Sequence, residues 1–166
     1  LGRPYVEADK VNPTGVYGLS KAKAERGVLN RFPDSLVIRT SAFFGPWDRY
    51  NFLHKGLSNA ALAEALPASR DVVSPTYVPD LAHTVLELLI DGENGIWHLA
   101  NHGSISWYEF ARLAVEQAGF DPRLVQADET VHAPANTALA VSLLNASAST
   151  SPLPYPWSLA STGQEP

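Results

Sequence analysis

The stretch SLVIRTSAFFG, residues 35–45, is a short run of mainly apolar and β-branched residues that is closed by Gly45 and Pro46. Such a run, bounded by turn residues, is typical of a buried strand that leads into a loop. Its apolar side chains follow one another without polar alternation, and this favours a strand in a parallel sheet. The stretch therefore makes an α/β fold the first expectation.

Helical patterns lie on both sides of this run. Upstream, Asn12 and Pro13 form a favourable helix start, and apolar positions at helical spacing continue to about Phe32. Downstream, the segment from Asn51 to Leu66 is rich in alanine and leucine. We expect it to form a second helix that ends at the following proline.

Further helices and strands are predicted toward the C-terminus. One helix is expected to start near Pro79 and to stop at Gly92. Ser106 and Glu109 have the spacing of a capping box for a later helix, and Gly119 is the expected C-terminal cap of that helix. Three stretches are predicted to be extended: DVVSPTYV, GIWHLAN and LVQA. Strands that alternate with helices predict an α/β layer architecture.

The overall composition is that of a globular domain, with 166 residues, 45% hydrophobic and 17% charged. A net charge of -5 provides no basic stripe for a phosphate backbone, so nucleic acid is not expected as the main partner. The chain has no cysteine, which excludes thiolate sites and disulfides and fits the cytoplasm. The five histidines lack the spacing of zinc motifs, and no metal is expected.

The composition changes near the C-terminus. Residues 1–146 are expected to form the folded part, whereas residues 147–166 are rich in Ala, Ser, Thr and Pro and are expected to be disordered or loosely packed. No apolar run has the length of a membrane span, and the first ten residues lack the features of a signal peptide. A membrane is therefore not an expected partner. Because the first residue is leucine, we expect the chain to be a piece of a longer protein.

The stretch YGLSK, residues 17–21, places a tyrosine and a lysine four residues apart. On a helix, Tyr17 and Lys21 share one face, with their Cβ atoms close together. A nearby ammonium group favours the phenolate form of a tyrosine, which makes the phenol a usable proton donor near neutral pH. The same spacing is also common on ordinary exposed helix faces. The pair by itself therefore allows both interpretations.

Several other motifs surround this pair in a definite order. They are PYVEADKVNPTGVYGLSKAKAE, LVIRTSAFFG, NFL, SPTYVPDLA, GIWHLAN, SWYEFA and NTALA. Together they resemble the extended short-chain dehydrogenase/reductase family, in particular its dTDP-4-dehydrorhamnose reductases. In that family a Y-x-x-x-K motif lies on a helix and is followed by a strand that ends in Arg-Thr-Ser. The resemblance covers most of the chain up to the serine-rich tail.

The resemblance implies roles in catalysis and cofactor binding. Tyr17 would be the general acid that protonates the 4-keto oxygen of a nucleotide-linked sugar while NADPH or NADH delivers a hydride. Lys21 would support the phenolate and hydrogen-bond the nicotinamide ribose. Ala42, Phe43 and Phe44 would approach the nicotinamide.

The resemblance also implies a set of substrate-binding residues, each of which has a structural alternative. Arg39 would contact the substrate, or it would form a salt bridge to the preceding helix. Asn51 and Phe52 would lie near the nucleotide-sugar, by amide hydrogen bonding and by stacking, or Asn51 would cap a helix. Ser74 and Thr76 would belong to a loop near the substrate, or to a plain turn.

The implied architecture is the C-terminal portion of a Rossmann-like extended short-chain dehydrogenase/reductase, with its smaller substrate-binding region. The glycine-rich G-x-G-x-x-G loop of such a fold does not occur in the 166 residues, so most of the cofactor site is expected upstream of Leu1. A nucleotide-diphosphate sugar is the implied substrate, and a homodimer is a possible assembly.

Two other functions remain open at this point. The chain would instead be a non-catalytic sugar-nucleotide-binding or regulatory subunit on the same fold, similar to the regulatory subunit of methionine adenosyltransferase. Alternatively, the same chemistry would serve a sugar epimerase or dehydratase. The intact Tyr17 and Lys21 pair favours an enzyme over a binding subunit.

Overall fold

The computed structural model describes residues 5–13, 15–45 and 47–130. Within these ranges the chain forms four α-helices: α1 (Val16–Arg31), α2 (Phe52–Ala61), α3 (Val78–Ile90) and α4 (Trp107–Gln117). None of the described helices is long and apolar enough to cross a membrane. The boundary expected at residue 146, and the tail from 147 to 166, lie outside the described residues.

Eight short strands connect these helices: β1 (Leu36–Arg39), β2 (Phe43–Phe44), β3 (Leu66–Ala68), β4 (Val72–Val73), β5 (Thr76–Tyr77), β6 (Gly95–His98), β7 (Ile105–Ser106) and β8 (Val125–Ala127). They pair as two-stranded ladders. The pairs β1–β6, β2–β5 and β3–β8 are parallel, and β4–β7 is antiparallel. The predicted α/β class is confirmed, and so is the predicted parallel pairing of the stretch at residues 35–45.

That stretch forms two strands rather than one continuous strand. β1 pairs with β6, and β2 pairs with β5, so the chain changes partner between Arg39 and Phe43. The break includes Ala42, whose φ of 39° lies in the left-handed region that residues with a Cβ seldom adopt. The amide of Thr76 donates to the Ala42 carbonyl at 3.0 Å and holds this turn against β5. The four residues of β1 are half-buried, not fully buried as expected.

Helix α1 begins later than the sequence predicted. Its N-cap is Gly15, which is extended and provides no side-chain cap, whereas Asn12 and Pro13 precede the helix. Pro13 instead packs against the first turn. A Cβ added at Gly18 would lie 3.0 Å from the Pro13 Cβ, so the missing side chain of Gly18 makes room for this contact. None of the sixteen residues of α1 is fully buried.

The Asn51 side chain caps helix α2 by accepting a hydrogen bond from the amide of Leu53. This is the structural alternative that the sequence offered for Asn51. The predicted end of α2 at Leu66 is wrong. The helix stops at Ala61, and Leu66 starts β3. Leu66 and Ala68 are buried while Pro67 between them is exposed, and this alternation is that of a half-buried strand.

The main core lies between α2, α4, β3 and β8. Its buried members are Ala60, Leu66, Ala68, Ala111, Val115 and Val125. The capping box of α4 is confirmed, since the Ser106 hydroxyl accepts the amide of Glu109 at 3.1 Å and the Glu109 carboxylate accepts from the Ser106 amide at 3.3 Å. Gly119 follows α4 with a φ of 82°, as expected for a glycine just beyond a helix end.

Replacing the capping hydroxyl tests how much the start of α4 contributes to this core. Ser106→Ala should lower the free energy of unfolding by about 1 kcal/mol, because an orphan amide of the first turn loses its acceptor. Urea titration followed by circular dichroism measures the change. Ser104→Ala, at an exposed position two residues earlier, is the matched control and should leave the midpoint nearly unchanged. Equal midpoints for both variants would show that the cap does not stabilise the domain.

Candidate active site

Tyr17 and Lys21 are brought together on the first two turns of α1. The Lys21 Nζ lies 5.2 Å from the centroid of the Tyr17 ring, a cation–π contact. Tyr17 is 73% exposed, so its hydroxyl is open to a ligand. Ser20, between the two, donates its hydroxyl to the Tyr17 carbonyl at 2.7 Å. The helix thus presents the phenol and the ammonium as one exposed unit.

Arg39, at the end of β1, holds α1 against the strand. Its Nη2 and Nε donate to the two carboxylate oxygens of Glu25 at 2.7 and 2.8 Å, and the two side chains are 19% and 18% exposed. The hydrogen bond from Arg39 lowers the pKa of Glu25, and the same bond raises the pKa of Arg39. The salt bridge to the preceding helix, the structural alternative for Arg39, is therefore present. A substrate contact by Arg39 stays a prediction.

The remaining donors of Arg39 reach two other parts of the chain. Its Nη1 donates to the Glu7 carbonyl at 3.2 Å and lies 3.3 Å from the Nε2 of His98. His98 is in β6 and is 1% exposed, and its Nδ1 lies 3.2 Å from the Tyr5 carbonyl. The segment before α1, α1 itself, β1 and β6 thus meet at one guanidinium group.

The direction of α1 follows from these contacts. Phe32 to Ser35 connect the end of α1 to the start of β1, and Glu25 pairs with Arg39 at the other end of the strand. The six steps from Glu25 to Arg31 rise about 9 Å in a helix, and β1 advances about 10 Å from Leu36 to Arg39. The helix therefore runs antiparallel to β1. Tyr17 lies about 12 Å further along α1, beyond the carboxyl end of the strand.

A cleft follows that same end of β1. It has a volume of about 290 Å³ and is lined by Phe43, Phe44, Gly45, Trp47, Asp48, Asn51 and Val78. Phe43 and Trp47 are 51% and 78% exposed at its walls. Phe44 is supported from behind, with its ring centroid 5.4 Å from that of Tyr77 and 5.3 Å from that of Phe110. Among the described lining residues there is no lysine or arginine, so the cleft suits an uncharged ring better than a phosphate.

Asn51 and Phe52 have different positions with respect to this cleft. Asn51 lines it, but both ends of its amide are engaged: Oδ1 caps α2 and Nδ2 donates to the Phe43 carbonyl. Phe52 packs edge-on against Trp107, with ring centroids 4.9 Å apart, next to the main core. Asn51 therefore shapes the wall of the cleft, whereas Phe52 supports the domain behind it. Substrate contacts by either residue stay predictions.

Ser74 and Thr76 are both fully buried. The Ser74 hydroxyl donates to the Gly103 carbonyl at 2.9 Å, and the Thr76 hydroxyl accepts from that of Thr40 at 3.3 Å. The Thr76 bond holds β5 beside the segment that joins β1 to β2, and the Ser74 bond ties the residues before β5 to the loop between β6 and β7. The structural alternative explains both residues, and neither side chain has free surface to offer a substrate.

Some residues of this region were not predicted. Glu25 lies four residues after Lys21, so the spacing that brings Tyr17 and Lys21 together also places Glu25 next to Lys21 along the helix. The contribution of Asp48 and Val78 to the cleft has no sequence signal, because Val78 reaches it only through the pairing of β2 with β5. In the described part of the chain, no group of three or more histidines and acidic residues could hold a metal ion.

The family follows from comparison with known proteins. The family model described as RmlD substrate binding domain matches residues 1–157. The chain belongs to this family. The match includes every described residue, from the Tyr17 helix to β8, and it confirms the resemblance carried by the motifs.

Three relatives illustrate how much of a longer protein the chain matches. It is 36% identical over 124 residues to the spore coat polysaccharide biosynthesis protein SpsK of Bacillus subtilis (strain 168), covering 74% of this chain and 43% of SpsK. It is 37% identical over 133 residues to dTDP-4-dehydrorhamnose reductase of Mycobacterium tuberculosis (strain ATCC 25618 / H37Rv), covering 75% and 41%. The structure of dTDP-4-dehydrorhamnose reductase from Bacillus anthracis str. Ames in complex with NADP has a TM-score of 0.77 at 26% identity, covering 83% and 51%. The chain thus spans about half or less of each.

The ion pair between Glu25 and Arg39 should make stability depend on pH. Because the folded pKa of Glu25 lies below its ordinary value of 4.5, its contribution is present above about pH 4.5 and is lost as the pH falls through the folded pKa. The Tm difference between the wild type and Glu25→Gln should therefore be largest near neutral pH and shrink in acid. Glu87→Gln, on the exposed face of α3, is the control and should change Tm little at any pH. A Glu25→Gln difference that is constant down to about pH 3 would contradict the assignment.

Proposed function

We propose that this chain supplies the acid–base pair and the sugar-binding region of an NAD(P)H-dependent reductase of a nucleotide-linked 4-keto-6-deoxy sugar. The observation that carries the proposal is the exposed Tyr17 and Lys21 unit on a helix tied to the strand that leads into the cleft. Membership of the family and the relatives named as dTDP-4-dehydrorhamnose reductases support it. The chain would act as the C-terminal part of that enzyme.

The chemistry needs a proton at the carbonyl oxygen. An NAD(P)H molecule would supply a hydride to the carbonyl carbon, and the carbonyl oxygen would then carry the negative charge of an alkoxide. Tyr17 donates its phenolic proton to this oxygen and becomes a phenolate, and the product is the hydroxyl sugar. Lys21, one turn away, stabilises the phenolate through its positive charge. The exposure of Tyr17 is what this role requires, because the phenol has to reach a ligand.

The cleft is assigned to the uncharged parts of the ligands. Ala42, Phe43 and Phe44 lead into it, and the apolar walls formed by Phe43 and Val78 suit one face of a nicotinamide ring. The nucleotide-sugar would lie on the Asn51 side. This sequence has no glycine-rich loop that would bind the pyrophosphate of the dinucleotide, so we assign that binding to residues outside the chain. Homodimer formation and a cytoplasmic location stay predictions.

Substitution of the pair tests the function in a protein that joins this chain to an upstream half with the glycine-rich loop. Tyr17→Phe keeps the ring but removes the proton, so kcat should fall about a hundred- to ten-thousand-fold with little change in Tm. Lys21→Met should also lower kcat, because the phenolate left after proton transfer loses its positively charged neighbour. The measurement is steady-state reduction of 4-keto-6-deoxy sugar nucleotides.

Tyr108→Phe is the matched control for this experiment. Tyr108 lies on α4 with the guanidinium carbons of Arg70 and Arg112 5.1 and 5.7 Å from its ring centroid, so the variant keeps those contacts. It should retain full turnover. If Tyr17→Phe also retains full turnover, the pair is an ordinary helix face, and another group of the enzyme supplies the proton.

The chain alone should not bind NAD(P)H tightly. The amides that normally hold a pyrophosphate come from the glycine-rich turn and the helix that follows it, and this sequence has no such turn. Isothermal titration of the isolated chain with NADPH and NADH should give no affinity in the micromolar range or better. Micromolar binding would mean that other residues of this chain hold the pyrophosphate.

A further inference from the structure

The orientation of α1 depends on few contacts. None of its sixteen residues is fully buried, and several of its apolar side chains are exposed, among them Val16 at 87% and Leu19 at 47%. The most buried side chains of α1, those of Ala22, Glu25 and Leu29, are only half-buried, so interlocking side chains within the described residues restrain the rotation of α1 weakly. A directional contact to the neighbouring strand adds to this restraint and helps to set the direction in which Tyr17 points.

The Glu25–Arg39 ion pair is placed to do this. Tyr17, Lys21 and Glu25 follow one another at intervals of four residues, so they form one stripe along the helix. Arg39 holds Glu25 by a two-bond fork, and this geometry fixes direction as well as distance. The guanidinium group is itself held at the Glu7 carbonyl. The pair therefore fixes the stripe that carries the phenol and the ammonium.

The geometry points to Glu25 and Arg39 as positioning residues that set the rotation of α1 and so aim the Tyr17 hydroxyl at the substrate. This inference rests on the proposed function. A side-chain tip about 6 Å from a helix axis moves by about 1 Å when the helix rotates by about 10°. A misplacement of about 1 Å in a reacting group costs about a hundredfold in rate. Loosening of the ion pair would therefore lower turnover through the position of Tyr17.

Rotation moves Tyr17 and Lys21 together, and this gives the inference a distinctive signature. Glu25→Gln should lower kcat about ten- to a hundredfold while KM for the sugar nucleotide changes little. A purely structural role of the ion pair would lower Tm and leave kcat of the folded enzyme unchanged.

One variant of Arg39 and one double variant also test the positioning role of the ion pair. Arg39→Lys keeps the charge but loses the fork, so kcat should fall nearly as far as in Glu25→Gln. The double variant Glu25→Gln with Arg39→Lys should be no slower than the worse single variant, since both remove one interaction. Glu87→Gln on α3 is the control for loss of an exposed glutamate charge and should leave kcat unchanged.

A pair of glycines on α1 provides a perturbation that leaves the ion pair intact. Gly18→Ala adds a Cβ 3.0 Å from the Pro13 Cβ and should displace the turn that carries Tyr17, lowering kcat. Gly27→Ala adds a Cβ with no atom within 4 Å, so it should keep kcat and raise Tm through helix propensity. The comparison of these two variants tests whether kcat depends on the position of α1, and it can be made even if Glu25→Gln or Arg39→Lys does not fold.

All variants are assayed in the protein that carries the cofactor half, at a temperature where circular dichroism shows them folded. The inference is overturned if Glu25→Gln keeps the wild-type kcat, or if its only effect is on KM. Tyr17→Phe, assayed in parallel, separates a failure of the proposed function from a failure of the positioning role. Full activity of Tyr17→Phe refutes the proposed function, whereas its loss together with full activity of Glu25→Gln refutes only the positioning role.

Discussion

Arg39 is the residue on which the arrangement of this site depends. Its main chain belongs to β1 and pairs with β6, while its side chain bonds Glu25 of α1 and the Glu7 carbonyl. A guanidinium group has five donors in a fixed plane, so it can hold several acceptors in one geometry. Loss of one partner of such a partly buried pair leaves the other charge without compensation, and the cost is higher than for an exposed pair. The Arg39 side chain thus couples α1, the β1–β6 pair and the segment before α1.

The sequence predicted those features whose cause is local. The capping box of Ser106 and Glu109 and the proximity of Tyr17 and Lys21 depend only on helical spacing, and both are present. The start of α1 and the end of α2 were wrong because tertiary contacts decide them. Pro13 packs against Gly18 instead of starting the helix, and Leu66 enters the core as a strand residue. The sequence singled out Phe43, Phe44 and Asn51, which line the cleft, but not Val78, which reaches it through strand pairing.

Burial separates residues that face a ligand from residues that hold the site in shape. Ser74 and Thr76 belong to a motif that resembles one of reductases, yet their side chains are fully buried and hydrogen-bonded within the protein. The Thr76 bond fixes β5 near the segment that leads into β2, and β2 itself lines the cleft. A motif read from sequence therefore identifies the region of a site without telling contact from support. Asn51 combines both roles, because it lines the cleft while its amide caps α2.

The exposure of Tyr17 has a physical consequence for the rest of α1. A phenol that donates a proton to a ligand has to lie at the surface, and its helix cannot then bury the face that carries it. Gly18 and Gly27 further lower the intrinsic stability of α1. An ion pair with two aligned hydrogen bonds supplies direction without covering the phenol, which apolar packing on the same stripe would do. The face of α1 that carries Tyr17 stays open because a charged contact, rather than a buried one, holds it in place.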